Sequence, residues 1–142
     1  TRYYDIAPLR EKRERIGLSP AEETKLAALE ARMEIRLDIM RRMLEFGMKD
    51  RIVPGTDSGV QNFAFGHLDY DLQILTQIGF TPSEALISAT KTSAEAIGMS
   101  DQIGTLEVGK IADLVALDGD PSKDIGVCSR IRAVFLEGTQ VS

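Results

Sequence analysis

Arg51-Ile52-Val53-Pro54-Gly55-Thr56-Asp57-Ser58-Gly59 is the stretch on which the fold turns. Ile52 and Val53 form a short apolar run closed by Pro54 and Gly55, the pattern of a buried strand over 51–54 that stops where the proline ring and the glycine end ladder pairing. Just beyond it one carboxylate, Asp57, stands among residues that let the backbone bend sharply. In a parallel barrel of strands and helices, catalytic side chains sit at that place, because the strand is rigid and the loop after it faces the pocket. The plain alternative is an Asp that bonds its own backbone amides in a Gly-rich turn and does nothing more.

Working outward, Ser19, Pro20 and Glu22 read as a helix start, with Ser as cap, Pro in the first turn and Glu reaching back to the cap amide. Leu26, Leu29, Met33, Leu37, Met40 and Leu44 recur at steps of three or four, which predicts one apolar stripe on a helix over 20–46, stopped by Gly47. A Met-containing stripe of this kind reads as core rather than as a cofactor or partner-helix face. Residues 1–18 carry charge, Pro8 and Gly17 without a sustained period and read as loop or short helix. After a polar loop over 56–66, Leu68, Leu72, Leu75 and Ile78 mark a helix over 67–78 closed by Gly79. Thr81, Pro82 and Glu84 repeat the start signal for a helix over 82–97 that ends at Gly98. The pattern then turns extended around Ile103, Leu106 and Val108, continues as a strand over 112–117 with a turn at Asp118-Gly119, and closes with 131–136 and 139–141 joined by the hairpin signal Glu137-Gly138. An α/β chain follows, with helices and one strand in 1–98 and a small β module in 99–142.

The chain has 142 residues, 43% of them hydrophobic and 27% charged, so it reads as one compact domain or a piece of a larger protein, and not as a disordered tail, a collagen-like chain or a rod. No apolar run reaches the roughly 20 residues that cross a bilayer, and no signal peptide opens the chain, so a soluble, cytoplasmic protein without a membrane partner is expected. Seventeen Lys and Arg against 22 Asp and Glu give a net charge of -5, which repels phosphate backbones and argues against nucleic acid as a partner. The acidity belongs to residues 51–142, with 6 basic against 12 acidic side chains, while the basic run at Arg10, Lys12, Arg13 and Arg15 is interleaved with Glu11 and Glu14 and reads as a solvated face. Cys128 is the single cysteine, so no intrachain disulfide forms. Its apolar neighbours suggest a quiet core thiol.

Four blocks in order carry a resemblance: Gly55-Thr56-Asp57-Ser58-Gly59, Gly79-Phe80-Thr81-Pro82-Ser83-Glu84-Ala85-Leu86, Ile103-Gly104-Thr105-Leu106-Glu107-Val108-Gly109-Lys110 and Ala112-Asp113-Leu114-Val115-Ala116-Leu117-Asp118-Gly119-Asp120-Pro121. Together they resemble the C-terminal part of the amidohydrolase superfamily, and within it the imidazolonepropionase-related and prolidase-like branch, over about residues 36–142. The resemblance implies the C-terminal fragment of a metal-dependent (β/α)8 TIM barrel, with the last barrel strand and its helices in 1–98 and strands of a small composite β-sandwich in 99–142. It also implies a hydrolase of carbon-nitrogen bonds in an amide, cyclic amide or dipeptide, acting on a small-molecule substrate through water activated by a divalent metal, expected to be zinc. Asp57 is implied to be both metal ligand and proton acceptor, a role that suits a carboxylate beside an activated water. Lys110, Asp113 and Asp118 are implied to be fold determinants.

His67, the only histidine, lies near the expected pocket rim at a helix start, where a helix-start hydrogen bond is the plain reading and substrate binding the sharper one. The family's His-x-His pair, its Lys or Glu after strand four and its later histidines have no counterpart here, and one Asp falls short of the three protein ligands a catalytic zinc typically takes. The chain, which begins at Thr1, is therefore expected to be a C-terminal third, inactive and metal-free alone, that forms a homo-oligomer or associates with the missing N-terminal part. The competing expectations are a non-catalytic structural or interaction module that keeps the amidohydrolase C-terminal fold and, with no motif behind it, an acidic regulatory domain.

Overall fold

The computed structural model describes residues 3–58 and 65–142, so residues 59–64 of the polar loop lie outside the described residues. The chain divides into two compact units, Thr1–Phe46 and Gly47–Ser142.

In the first unit, α1 (Tyr3–Ile16) packs on α2 (Pro20–Glu45). The start of α2 is as read: Ser19 Oγ accepts the Glu22 N–H, and the Glu22 carboxylate accepts the Ser19 N–H at 3.0 Å. The stripe holds too, with Leu26 and Leu37 buried and Leu29, Met33, Met40 and Leu44 half-buried, while Ile35 and Ile39 off the stripe are exposed. The first segment differs from expectation, being a 14-residue helix despite Pro8 inside it. Tertiary contact supplies what local periodicity lacks. Ile6 is almost fully buried, and Arg10 pairs with Glu30 and Lys12 with Glu22 across the two helices.

In the second unit, a short 3-10 turn (Lys49–Arg51) leads into Ile52, whose backbone is extended at φ -99°, ψ 120°. The strand expected over 51–54 does not form: Arg51 belongs to the turn, and the described sheet contains only later strands. An isolated apolar run has the conformation of a strand but no ladder, because a strand exists only through its neighbours. α3 (Leu68–Ile78) buries Leu72, Leu75 and Ile78 and ends at Gly79, with φ 121°. Thr81 then opens α4 (Pro82–Ile87) by the second capping box, Thr81 Oγ1 accepting the Glu84 N–H and Glu84 accepting the Thr81 N–H at 2.7 Å. The helix expected over 82–97 is one helical run interrupted by a π-turn (Ser88–Thr92) before α5 (Ser93–Ala96).

Residues 99–113 also depart from expectation, since they form turns rather than extended strand. Gly104, at φ 92°, lies so close to α5 and the π-turn that an added Cβ would stand 2.6 Å from Ala94 Cβ and 3.0 Å from the Thr90 carbonyl. Leu106 and Val108, apolar letters that suggested a strand, are exposed. The sheet is β1 (Leu114–Leu117), β2 (Ile131–Leu136) and β3 (Thr139–Gln140), antiparallel throughout, with Leu114 opposite Phe135 and a bulge between Ala116 and Leu117. Glu137 and Gly138 make the expected two-residue hairpin turn, both with positive φ, as a type I′ turn requires. Asp118-Gly119 instead opens a longer connection that includes a 3-10 segment (Ile125–Ser129), whose Ile125 and Val127 are buried and which packs on α3. Asp113 stitches the sheet at the hairpin, accepting the Glu137 N–H at 2.8 Å.

Lys49 ties the segment before Ile52 to the corner between α3 and α4. Its ammonium lies 2.6 Å from the Glu84 carboxylate and 5.0 Å from the centre of the Phe80 ring. Hydrogen bonding from Lys49, then from the Thr81 backbone and hydroxyl, holds the Glu84 carboxyl down at about 2. A carboxylate with a depressed pKa stabilises the fold above its ordinary value of 4.5, and that contribution is lost as pH falls toward 2. Glu84→Gln is therefore expected to lower the thermal midpoint at pH 7, with the difference from the parent narrowing between pH 4.5 and 2 in a pH series of melting curves.

Candidate active site

Asp57 follows Ile52 by five residues and takes φ 53°, one of two non-glycine residues with positive φ among those described. Asp and Asn tolerate this left-handed conformation better than other side chains, because their short polar groups bond locally. The residues on either side are joined across it: Thr56 Oγ1 and Ser58 Oγ lie 2.7 Å apart, and the Ser58 N–H donates to Thr56 Oγ1 at 3.3 Å. Side-chain bonds of this kind replace a backbone ladder and define the turn locally. They leave the Asp57 side chain exposed at the tip of the described segment.

Beyond residues 59–64, His67 is the N-terminal boundary of α3, and its side chain makes no capping bond to the helix. The expected helix-start hydrogen bond is thus replaced by other contacts. The imidazole stacks on Tyr70 with ring centres 5.3 Å apart, and Nδ1 lies 3.8 Å from the Asp69 carboxylate. Asp71, one residue after Tyr70, escaped sequence reading. Burial first and the Asp69 charge second push its carboxyl pKa up, and its Oδ2 is enclosed without a hydrogen-bond partner among the described residues. The signal was present as Asp69-Tyr70-Asp71 at the helix start, where acids ordinarily serve the helix dipole.

Cys128 is half-buried, and burial followed by the charges of Asp69 and Asp124 pushes its thiol pKa up, which keeps it protonated and weakly nucleophilic. Lys110 reaches Thr105 and Glu107 within its own loop. Among the described residues no three His, Cys, Asp or Glu side chains come together to hold a metal. A carboxylate is a suitable donor for zinc, but one donor does not fit a catalytic site that takes about three protein ligands. The described residues do not by themselves make such a site.

The model of the amidohydrolase family matches residues 2–141, and the chain belongs to that family. Among curated relatives, imidazolonepropionase of Syntrophobacter fumaroxidans is 38% identical over 79 residues, which cover 56% of this chain and 18% of that protein. Among solved structures, a Xaa-Pro dipeptidase with methionine bound in its active site is similar over 94% of this chain and 32% of its own, at 30% identity and a TM-score of 0.69. Molinate hydrolase is similar over 63% of this chain and 23% of its own, at 27% identity and a TM-score of 0.58. The chain thus spans about a third or less of the proteins it resembles.

The left-handed backbone at residue 57 makes a direct prediction. Asp57→Asn keeps a side chain at ease with positive φ and is expected to unfold in denaturant with the parent's midpoint. Asp57→Val places a β-branched residue there and is expected to lose about 1–2 kcal/mol.

Proposed function

We propose that this chain is the C-terminal part of a hydrolase that cleaves carbon-nitrogen bonds in a small molecule, with Asp57 as the carboxylate that accepts the proton of the attacking water. In this reading residues 1–98 belong to a (β/α)8 barrel, with the Ile52 segment as its eighth strand once neighbours pair with it, and residues 99–142 belong to a small sandwich. The observation that carries the reading is the turn at Asp57: a carboxylate at the end of an extended apolar segment, in a left-handed conformation bracketed by bonded Thr56 and Ser58. The family membership and the relatives that act on cyclic amide and dipeptide substrates, by their names, support it.

Asp57 would be one ligand of a divalent metal whose other ligands lie outside the described residues, and zinc suits such a site. The metal would supply Lewis-acid polarisation of the scissile group and of the water. What this chain contributes is narrower. The turn fixes the backbone that carries the carboxylate, which would take the proton as the carbon-nitrogen bond is attacked. His67, stacked on Tyr70 at the N-terminal boundary of α3, is proposed to contact substrate at the pocket rim.

The test is turnover by the complete protein of a cyclic amide such as an imidazolone and of an Xaa-Pro dipeptide. Asp57→Asn is expected to lower kcat by about 10²–10⁴-fold while the protein stays folded, because the amide keeps the shape and loses the proton acceptor. Unchanged turnover in Asp57→Asn would remove the carboxylate from the reaction, and no turnover by the parent on either substrate class would favour the non-catalytic module.

A further inference from the structure

We infer that Ser88, through its hydroxyl, is a positioning residue for Asp57, an assignment that rests on the reading of Asp57 as proton acceptor. Ser88 is 3% exposed, the one polar residue among the buried side chains described. Its Oγ donates to the Ile52 carbonyl at 2.5 Å, across 36 residues of sequence. Ile52 is itself 8% exposed, so its carbonyl needs a protein partner, and no ladder of the described sheet supplies one. The hydroxyl stands in for the missing strand neighbour. It fixes the backbone five residues before Asp57, at the point where the chain leaves the 3-10 turn.

Ser88 follows α4 directly and begins the π-turn. The Ser93 N–H reaches back to the Ser88 carbonyl, a five-residue step, and the Ser93 hydroxyl donates to the same oxygen at 2.8 Å. The wider turn inserts one residue into the helical run after Ser88 and so shifts α5 relative to α4. π-turns carry an intrinsic cost and tend to persist where they serve a site. Gly104 presses on the far side of this turn, near the Thr90 carbonyl and Ala94, so the turn is held between the 99–113 loop and the Ile52 segment. A line of contact runs from Gly104 through the π-turn and the Ser88 hydroxyl to the backbone that ends in Asp57. Ser88 is buried and bonded to backbone, which is why the role is one of positioning.

Two experiments decide it. In the 142-residue chain, Ser88→Ala is expected to speed hydrogen exchange in the peptide over 49–58 by about tenfold, and Ser88→Thr, which keeps the hydroxyl, to restore the slow rate. Exchange unchanged in Ser88→Ala would overturn the assignment, whatever the activity. In the complete protein, Ser88→Ala is expected to lower kcat on the substrate turned over, by about ten- to a hundredfold, with KM within twofold and the thermal midpoint lowered by the loss of one buried bond. If Ser88 acts through Asp57, the double variant Ser88→Ala/Asp57→Asn is no slower than Asp57→Asn alone. Additive losses in the double variant would make Ser88 a general structural residue and overturn the inference. An active Asp57→Asn protein would instead overturn the reading of Asp57, and the exchange experiment would still judge the bond.

Discussion

A buried extended segment must satisfy its backbone, and that constraint organises the second unit. Ile52 is buried and extended, yet no described strand pairs with it. A buried carbonyl left without a partner costs about 1–3 kcal/mol. The Ser88 hydroxyl removes that cost for Ile52, and Ser88 is also where the helical run widens into a π-turn. The capping box at Thr81, the corner at Gly79 and the bond from Lys49 to Glu84 hold the start of the same run. Each places the backbone ahead of Asp57 rather than the carboxylate itself.

The backbone at residue 57 is set by its own turn, and this division of labour suits a shared site. Thr56 and Ser58 bond to each other on either side of a left-handed Asp57, so the local conformation does not wait for a ligand. An acceptor fixed before the reaction avoids the reorganisation that weakens a mobile one. The described residues bring no second or third metal donor to that place. In the proposed enzyme the chain therefore supplies one prepared group, and the remaining donors come from other parts of the barrel.

What the sequence made legible was what local chemistry dictates. Ser19-Pro20-Glu22 and Thr81-Pro82-Glu84 each form a complete capping box, and Glu137-Gly138 turns the hairpin with two positive φ values. The apolar steps from Leu26 to Leu44 and from Leu72 to Ile78 face inward as their spacing required, while Leu68 at the start of α3 is exposed. The features that escaped are non-local. Residues 3–16 became a helix through pairs with α2 that no short window contains, and 51–54 lacked the neighbours that define a strand. The alternating letters after Gly98 suggested extension, but the close approach of Gly104 to Ala94 bends the chain into turns. At the candidate site, the sharp bend at residue 57 was readable from turn formers after an apolar run. Ser88 was not, although the polar run Ser88-Ala89-Thr90-Lys91-Thr92-Ser93 inside an otherwise amphipathic helix was its trace.

The central claim is that this chain carries one prepared carboxylate of a metal site whose other donors it does not contribute. Calorimetric titration of the 142-residue chain with zinc at neutral pH tests that claim most directly, run beside the Asp57→Asn chain. The account predicts weak binding without a defined stoichiometry, of the kind scattered surface carboxylates give. One zinc per chain bound at submicromolar affinity, and lost in Asp57→Asn, would contradict it.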